Sequence, residues 1–147
     1  GIGAATARLL AAEGARVVLA DRNTGLAETV AREIGSAAST VALDVTDERS
    51  WEAACARAVE TLGALHVLVN SAGISVPANV EDATFAHWRE TQAINADGVF
   101  LGCKHGVATI KRFGGGAIVN LASTLGARPG AMYAAYSASK AAVLAIT

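Results

Sequence analysis

Apolar and polar positions along the 147 residues switch repeatedly between two periods. Over residues 3–13, Ala4, Ala7, Leu10 and Ala11 recur at helical spacing, and Gly14 offers a stop. Residues 16–21 form a short apolar run closing on Asp21, the pattern of a strand buried on both faces. Residues 24–34 read as a helix ended by Gly35, and 40–45 as a second strand with Asp44 near its end. Asp47 is placed to cap a helix over 48–62, whose Trp51, Cys55, Ala58 and Leu62 share one face. Residues 65–70 predict a third strand, Ser71-Ala72-Gly73 its turn, and Pro77 marks a longer loop. A long helix is expected over 84–112 and a strand over 117–121, with Gly114, Gly115 and Gly116 between them. A last helix is expected over 134–147.

Strands separated by helices of this length need right-handed crossovers, which predicts an α/β fold built on a doubly wound parallel sheet with helices on both faces. No linker or repeat divides it, so residues 1–147 read as one domain. The first residues already lie in a helical pattern, and Ala145-Ile146-Thr147 carry no stop signal. The expectation is a piece of a longer chain, incomplete at both termini. Ligands of such sheets bind beyond the strand C-termini. That singles out Asp21, Asp44, Asn70 and Ser123, each at or near a strand end.

Composition narrows the function. A net charge of -1 gives no reason to expect a nucleic-acid or membrane-surface partner. With 52% hydrophobic and 17% charged residues the chain is not of the disordered class. No apolar run approaches the roughly 18 residues of a membrane span, and no signal-peptide pattern opens the chain. Two cysteines, Cys55 and Cys103, suit a reducing compartment. A soluble, cytoplasmic domain is expected.

Four features carry candidate chemistry. Gly1-x-Gly3 at a helix start lets backbone N–H groups approach a pyrophosphate, although the same residues also make a plain tight turn. Asp21 follows Gly3 by 18 residues, near the offset at which an acid binds an adenosine ribose; a solvated turn before Asn23 is the alternative. Arg22, beside it, would instead face a 2′-phosphate. Tyr136 and Lys140, four apart, share a helix face. An ammonium within about 4–6 Å of a phenol favours the phenolate, so such a pair can exchange a proton with an alcohol oxygen. A surface Tyr over a Lys stem has the same spacing. Asn95 lies in the apolar stripe of Trp88, Val99, Cys103 and Ile110, where it is either a structural bridge or a site residue.

Taken together, Gly1-Ile2-Gly3, Asp44-Val45, Asn70-Ser71-Ala72-Gly73, Asn95, Ser123 and Tyr136-Ser137-Ala138-Ser139-Lys140 resemble the short-chain dehydrogenase/reductase family over the whole chain. The spacings agree, with Ser123 following Asn95 by 28 residues and preceding Tyr136 by 13. The resemblance implies a Rossmann-like domain binding NAD, with NADP less favoured, through Gly1, Ile2, Gly3, Asp21, Arg22, Asp44, Val45, Asn70, Ala72 and Gly73. Tyr136 and Lys140 would touch the cofactor as well. It further implies Tyr136 as acid/base, Lys140 as the cation tuning it and binding the nicotinamide ribose, Ser123 as the donor to the substrate oxygen, and Asn95 as holder of a helix bend and relay water. Ser71 departs from the family's second Asn but keeps a small polar side chain. Tyr133 lacks the family spacing and reads as a pocket wall.

The expected reaction is hydride transfer between NAD(H) and a secondary alcohol or ketone. A 3-oxoacyl-thioester reductase using NADPH and a non-catalytic dinucleotide-binding protein are the alternatives. The resemblance also implies a homodimer or homotetramer, pocket walls over 74–80 and 124–133, and a strand before Gly1. Without that strand the 147 residues alone are expected to fold poorly and to be inactive. No metal site is expected, since His66, His87 and His105 have no acidic or cysteine neighbour at ligand spacing.

Overall fold

The computed structural model describes all 147 residues. In chain order it comprises α1 (Ile2–Ala12), β1 (Val17–Asp21), α2 (Thr24–Ile34), β2 (Ala38–Ala42), α3 (Glu48–Leu62) and β3 (Val67–Asn70). There follow α4 (Phe85–Gln92), a π-helical turn (Ala93–Asp97), α5 (Gly98–Lys111), β4 (Ala117–Asn120), α6 (Thr124–Ala127) and α7 (Ala134–Ile146). Side chains start four of these helices: Asn23, Asp47, Thr84 and Ser123 accept hydrogen bonds from the first-turn amides of Leu26, Arg49, His87 and Leu125. Gly63 ends α3 in the left-handed conformation, which costs a glycine little.

All pairing is parallel. β1 lies beside β2 with Val17 opposite Ala38, and β3 beside β4 with Val67 opposite Ala117. The two pairs form separate two-stranded sheets, so each strand has one edge without a strand partner. Helices α1, α2 and α3 pack on β1–β2, while α5 lies along β3–β4 and against α3. The central cluster is Leu43, Trp51, Ala54 and Cys55, flanked by Val41, Val45, Leu68 and Leu101. The Trp51 indole donates to the Val45 carbonyl at 3.1 Å, which pins α3 to the chain leaving β2.

Local readings and structure part company in five places. β2 stops at Ala42, so Asp44 and Val45 lie beyond it: the Asp44 carboxylate turns the chain by accepting from the Thr46 amide and hydroxyl. β1, read as buried on both faces, is buried only at Val17, because one edge lacks a neighbour. The face of β3–β4 away from α5 is open, leaving Val67 and Val119 exposed. The helix over 84–112 is one rod in sequence but holds a π-turn at 93–97, and its Trp88 is exposed rather than packed. Finally α6, with Ser123 as its N-cap, lies in the 124–133 stretch expected as a pocket wall, for which the pattern predicts no element.

Candidate active site

The β3–α4 turn, the π-turn and α7 meet at one point. Gly73 lies between Asn95 and Lys140: a Cβ there would stand 3.3 Å from Asn95 Oδ1 and 3.6 Å from Lys140 Nζ. Asn95 is fully buried, and its carboxamide is used on both sides. Oδ1 accepts from the Ile74 amide at 2.8 Å, while Nδ2 donates to the Ile74 carbonyl at 2.9 Å and to Ser139 Oγ at 3.1 Å. A π-turn widens the helix by one residue and is frequent at functional sites. Here it turns Asn95 inward, toward the β3–α4 turn.

Lys140 is 5% exposed, yet no carboxylate meets it. Its ammonium donates to the Leu121 carbonyl at 2.6 Å and stands 5.8 Å from the centre of the Tyr136 ring. Burial lowers its pKa from the ordinary lysine value. An ammonium has three donors, and the protein accepts one of them. Tyr136 is half-buried, with Tyr133 edge-on at 6.3 Å between ring centres. Ser123 Oγ accepts the Leu125 amide at 3.2 Å and keeps its own proton free to donate.

The other site candidates sit around this centre. Gly3 in α1 faces Ser71, where a Cβ would approach the hydroxyl to 2.6 Å; the helix start and the β3–α4 turn therefore touch through the absence of a side chain. No side chain caps α1 at Gly1, and Ile2 is exposed. Asp21 is exposed and accepts the Asn23 amide at 2.8 Å. Asp44 has its pKa lowered by the Thr46 amide, then by the Thr46 hydroxyl, with a smaller contribution from the charge of Arg22. Val45 is held against Gly98, where a Cβ would lie 3.0 Å from its side chain. Asn70 turns inward and donates to Asn120 Oδ1 at 2.8 Å, while Ala72 stays exposed.

Two features escaped the local reading. Gly98, Gly102 and Gly106 recur every fourth residue on the buried side of α5, and a Cβ at 102 would stand 2.8 Å from the Trp51 indole. Three glycines in one helix cost helix propensity, and that cost was the available signal of a close approach to the sheet. Glu48 was missed because it lies 57 residues from His105: its carboxylate accepts Lys104 and meets His105 Nε2 at 3.1 Å. His105 thus has an acidic neighbour in space that spacing did not show, and Lys104 first, then His105, lowers the Glu48 pKa.

Val76, Ala78 and Val80 line an apolar cavity of about 220 Å³ with Trp88, Met132 and Ala135. Its two loops are tied by the Ala78 amide donating to the Met132 carbonyl at 2.8 Å. Ala134 and Ala135 bring α7 to this cavity, and the helical repeat puts them on the flank turned away from Tyr136.

Parallel strands joined by helices, glycines at the first helix start and a Tyr–Lys pair beside a buried Asn are the features of a dinucleotide-dependent α/β oxidoreductase. A family profile described as short chain dehydrogenase matches residues 1–147, and the chain belongs to that family. It is 42% identical over 146 residues to the 2,5-dichloro-2,5-cyclohexadiene-1,4-diol dehydrogenase of Sphingobium indicum, covering 97% of this chain and 58% of that protein. The 3-beta-hydroxysteroid dehydrogenase of Comamonas testosteroni is 40% identical over 147 residues, covering 100% and 58%. The cis-4-hydroxycyclohexanecarboxylate dehydrogenase of Sinomonas cyclohexanicum is 46% identical over 151 residues, covering 100% and 60%. The chain spans under two thirds of the length of these curated relatives. Dehydrogenases of the family use NAD(H) or NADP(H). No helix is long and apolar enough to cross a membrane.

Proposed function

We propose that this chain is the nucleotide-binding and catalytic part of an NAD(H)-linked dehydrogenase of alicyclic secondary alcohols. The observation that carries this reading is Lys140, a buried ammonium beside the Tyr136 ring with one protein acceptor. A packing role alone gives no reason to bury a charge without a counter-ion. The remaining two donors suit the hydroxyls of a nucleotide ribose. Three of the relatives carry names of enzymes acting on ring-bound hydroxyls, which supports the substrate class.

The residues present fit such a cofactor. Gly3 and Gly73 let Ser71 and the Asn95–Lys140 pair pack close around them, and the uncapped start of α1 offers backbone N–H groups to a phosphate. Asp21, exposed at the end of β1, is the candidate ribose acceptor, and Arg22 lies beside it. Asp44, Val45, Asn70 and Ala72 flank the same ends. Bound NAD(H) supplies the hydride chemistry. Tyr136 holds or releases the proton of the alcohol oxygen, Ser123 donates a hydrogen bond to that oxygen, and Lys140 keeps a positive charge near the phenol. Asn95 ties the β3–α4 turn to α7 and so sets the distance between them.

Phe85, Trp88, Phe100 and Val107 remain exposed along the α4–α5 rod, which supports a homodimer built on it. The open edges of β1 and β3 support the view that a longer polypeptide supplies a strand to them.

The test is a screen of alicyclic alcohols and ketones with the longer protein, following reduced nicotinamide by absorbance. Tyr136→Phe keeps the ring and removes the proton, so turnover is expected to fall by about 10²–10⁴-fold with nucleotide affinity retained. Near-full activity of that variant would overturn the assignment.

A further inference from the structure

We infer that Ser139 is a positioning residue of the proton chemistry, acting through Asn95 and Tyr136; the inference rests on the function proposed above. Ser139 is fully buried, and its hydroxyl makes two directed bonds. It accepts Asn95 Nδ2 at 3.1 Å and donates to the Tyr136 carbonyl at 2.7 Å. A hydroxyl that gives its only proton to a backbone carbonyl has only lone pairs left for Asn95, so the direction of both bonds is determined. That polarity reinforces the amide orientation imposed by Ile74, whose amide faces Oδ1 and whose carbonyl faces Nδ2.

The consequence is mechanical as well as electrostatic. Asn95 sits in the π-turn, Ser139 precedes Lys140, and Gly73 fills the narrow space between the Asn95 carboxamide and the Lys140 ammonium. The Ser139 hydroxyl is the link from Asn95 itself to the helix carrying Tyr136 and Lys140, beside a second bond that Gln92 Nε2, at the start of the π-turn, donates to the Ala135 carbonyl at 2.9 Å. With it in place, α7 cannot rotate or slide relative to Asn95 without breaking a buried bond. Removing it leaves one Asn95 N–H unpaired in a site without solvent, and the cheapest relief is a shift of the π-turn away from α7. Lys140 and the Tyr136 ring then lose their fixed relation to the β3–α4 turn. A small misplacement of catalytic groups is costly to the rate, while binding contacts elsewhere are untouched. Ser139 therefore acts on turnover and not on affinity.

The experiment compares wild type, Ser139→Ala, Ser139→Cys and Tyr136→Phe in the longer protein, reading kcat and KM across pH with an alcohol that the screen identifies. Ser139→Ala is expected to lower kcat about tenfold, as a small misplacement of Tyr136 and Lys140 implies, with both KM values within about twofold of wild type. The pH profile of kcat is expected to move as well, and Ser139→Cys, close in size and still able to bond weakly, to recover part of both effects. A residue that only packs would lower stability and leave the pH profile in place. If Ser139→Ala matches wild type in kcat and pH profile while Tyr136→Phe is inactive, the inference is overturned and the proposed function stands. If Ser139→Ala does not fold, the cysteine variant decides: an unchanged profile overturns the inference and a displaced one upholds it. Absence of turnover in wild type overturns the proposed function and this inference with it.

Discussion

Replacing Lys140 by Met should make the protein more stable at neutral pH while abolishing turnover. The ammonium is 5% exposed and meets no carboxylate. Taking such a charge out of water costs several kcal/mol even after relaxation. Two interactions offset part of that cost. The charged hydrogen bond to the Leu121 carbonyl contributes about 1.5–3 kcal/mol. The Tyr136 ring, 5.8 Å away, contributes about 0.5–2 kcal/mol. Methionine fills a similar volume with no charge but leaves the partly buried Leu121 carbonyl without this donor, a cost of about 1 kcal/mol, so the net change is about 1 kcal/mol in its favour, or about 2–4 °C in Tm for a domain of this size. The pH dependence identifies the cause. Burial lowers the pKa of Lys140 in the folded state below its ordinary value of 10.5, so between the two values the unfolded chain holds the extra proton and stability rises with pH. The burden is complete below the folded-state pKa and disappears above 10.5. Urea unfolding of wild type and Lys140→Met in the longer protein, without nucleotide, from about pH 7 to about pH 10.5 should therefore show a gap that closes as pH rises. A variant less stable than wild type at neutral pH, or a gap indifferent to pH, would refute the reasoning.

Asn95→Ala removes bonds of 2.8, 2.9 and 3.1 Å from a fully buried position and leaves the Ile74 amide and carbonyl without their partner. The expected loss is about 3–5 kcal/mol in urea unfolding, with faster exchange of the Ile74 amide; a loss under about 1 kcal/mol contradicts it. NAD(H) should be preferred over NADP(H) in kcat/KM, because the Asp21 carboxylate would repel a 2′-phosphate, and Asp21→Ala should narrow the preference. Equal efficiency with NADP(H) in the unmodified enzyme would transfer the role to Arg22 as a phosphate ligand. The 147 residues on their own should fold poorly and bind no NAD at micromolar levels. With one edge open, β1 is buried only at Val17, and apolar area that a wider sheet would bury stays in water at about 25 cal/mol per Å² against a total stability of about 5–15 kcal/mol. A cooperative thermal transition that moves upward with added NAD would show otherwise.

Local patterns in the sequence were sufficient for whatever depends on neighbours along the chain. Asp47 serves the first turn that follows it, Gly35 closes α2 after Ile34, and a spacing of four puts Tyr136 and Lys140 on one face of α7. Caps, turns and helical repeat act over a few residues, so their physics can be read from a few residues. The family resemblance was legible for the same reason, being carried by short motifs at fixed separations. Tertiary structure alone decided how those motifs are used. No spacing shows that Lys140 is buried without a carboxylate, that Ser71 occupies the space Gly3 leaves, or that Glu48 receives Lys104 and His105. Nor does it show that Asn95 bonds Ile74 and Ser139, 21 and 44 residues away. The π-turn at 93–97 follows from these distant bonds: a rod that an α-helical pattern would leave unbroken gains an extra residue where buried partners hold the Asn95 carboxamide more strongly than the regular helix would. Burial, charge desolvation and hydrogen-bond partnership depend on segments brought together by folding, and for that reason they belong to the tertiary structure.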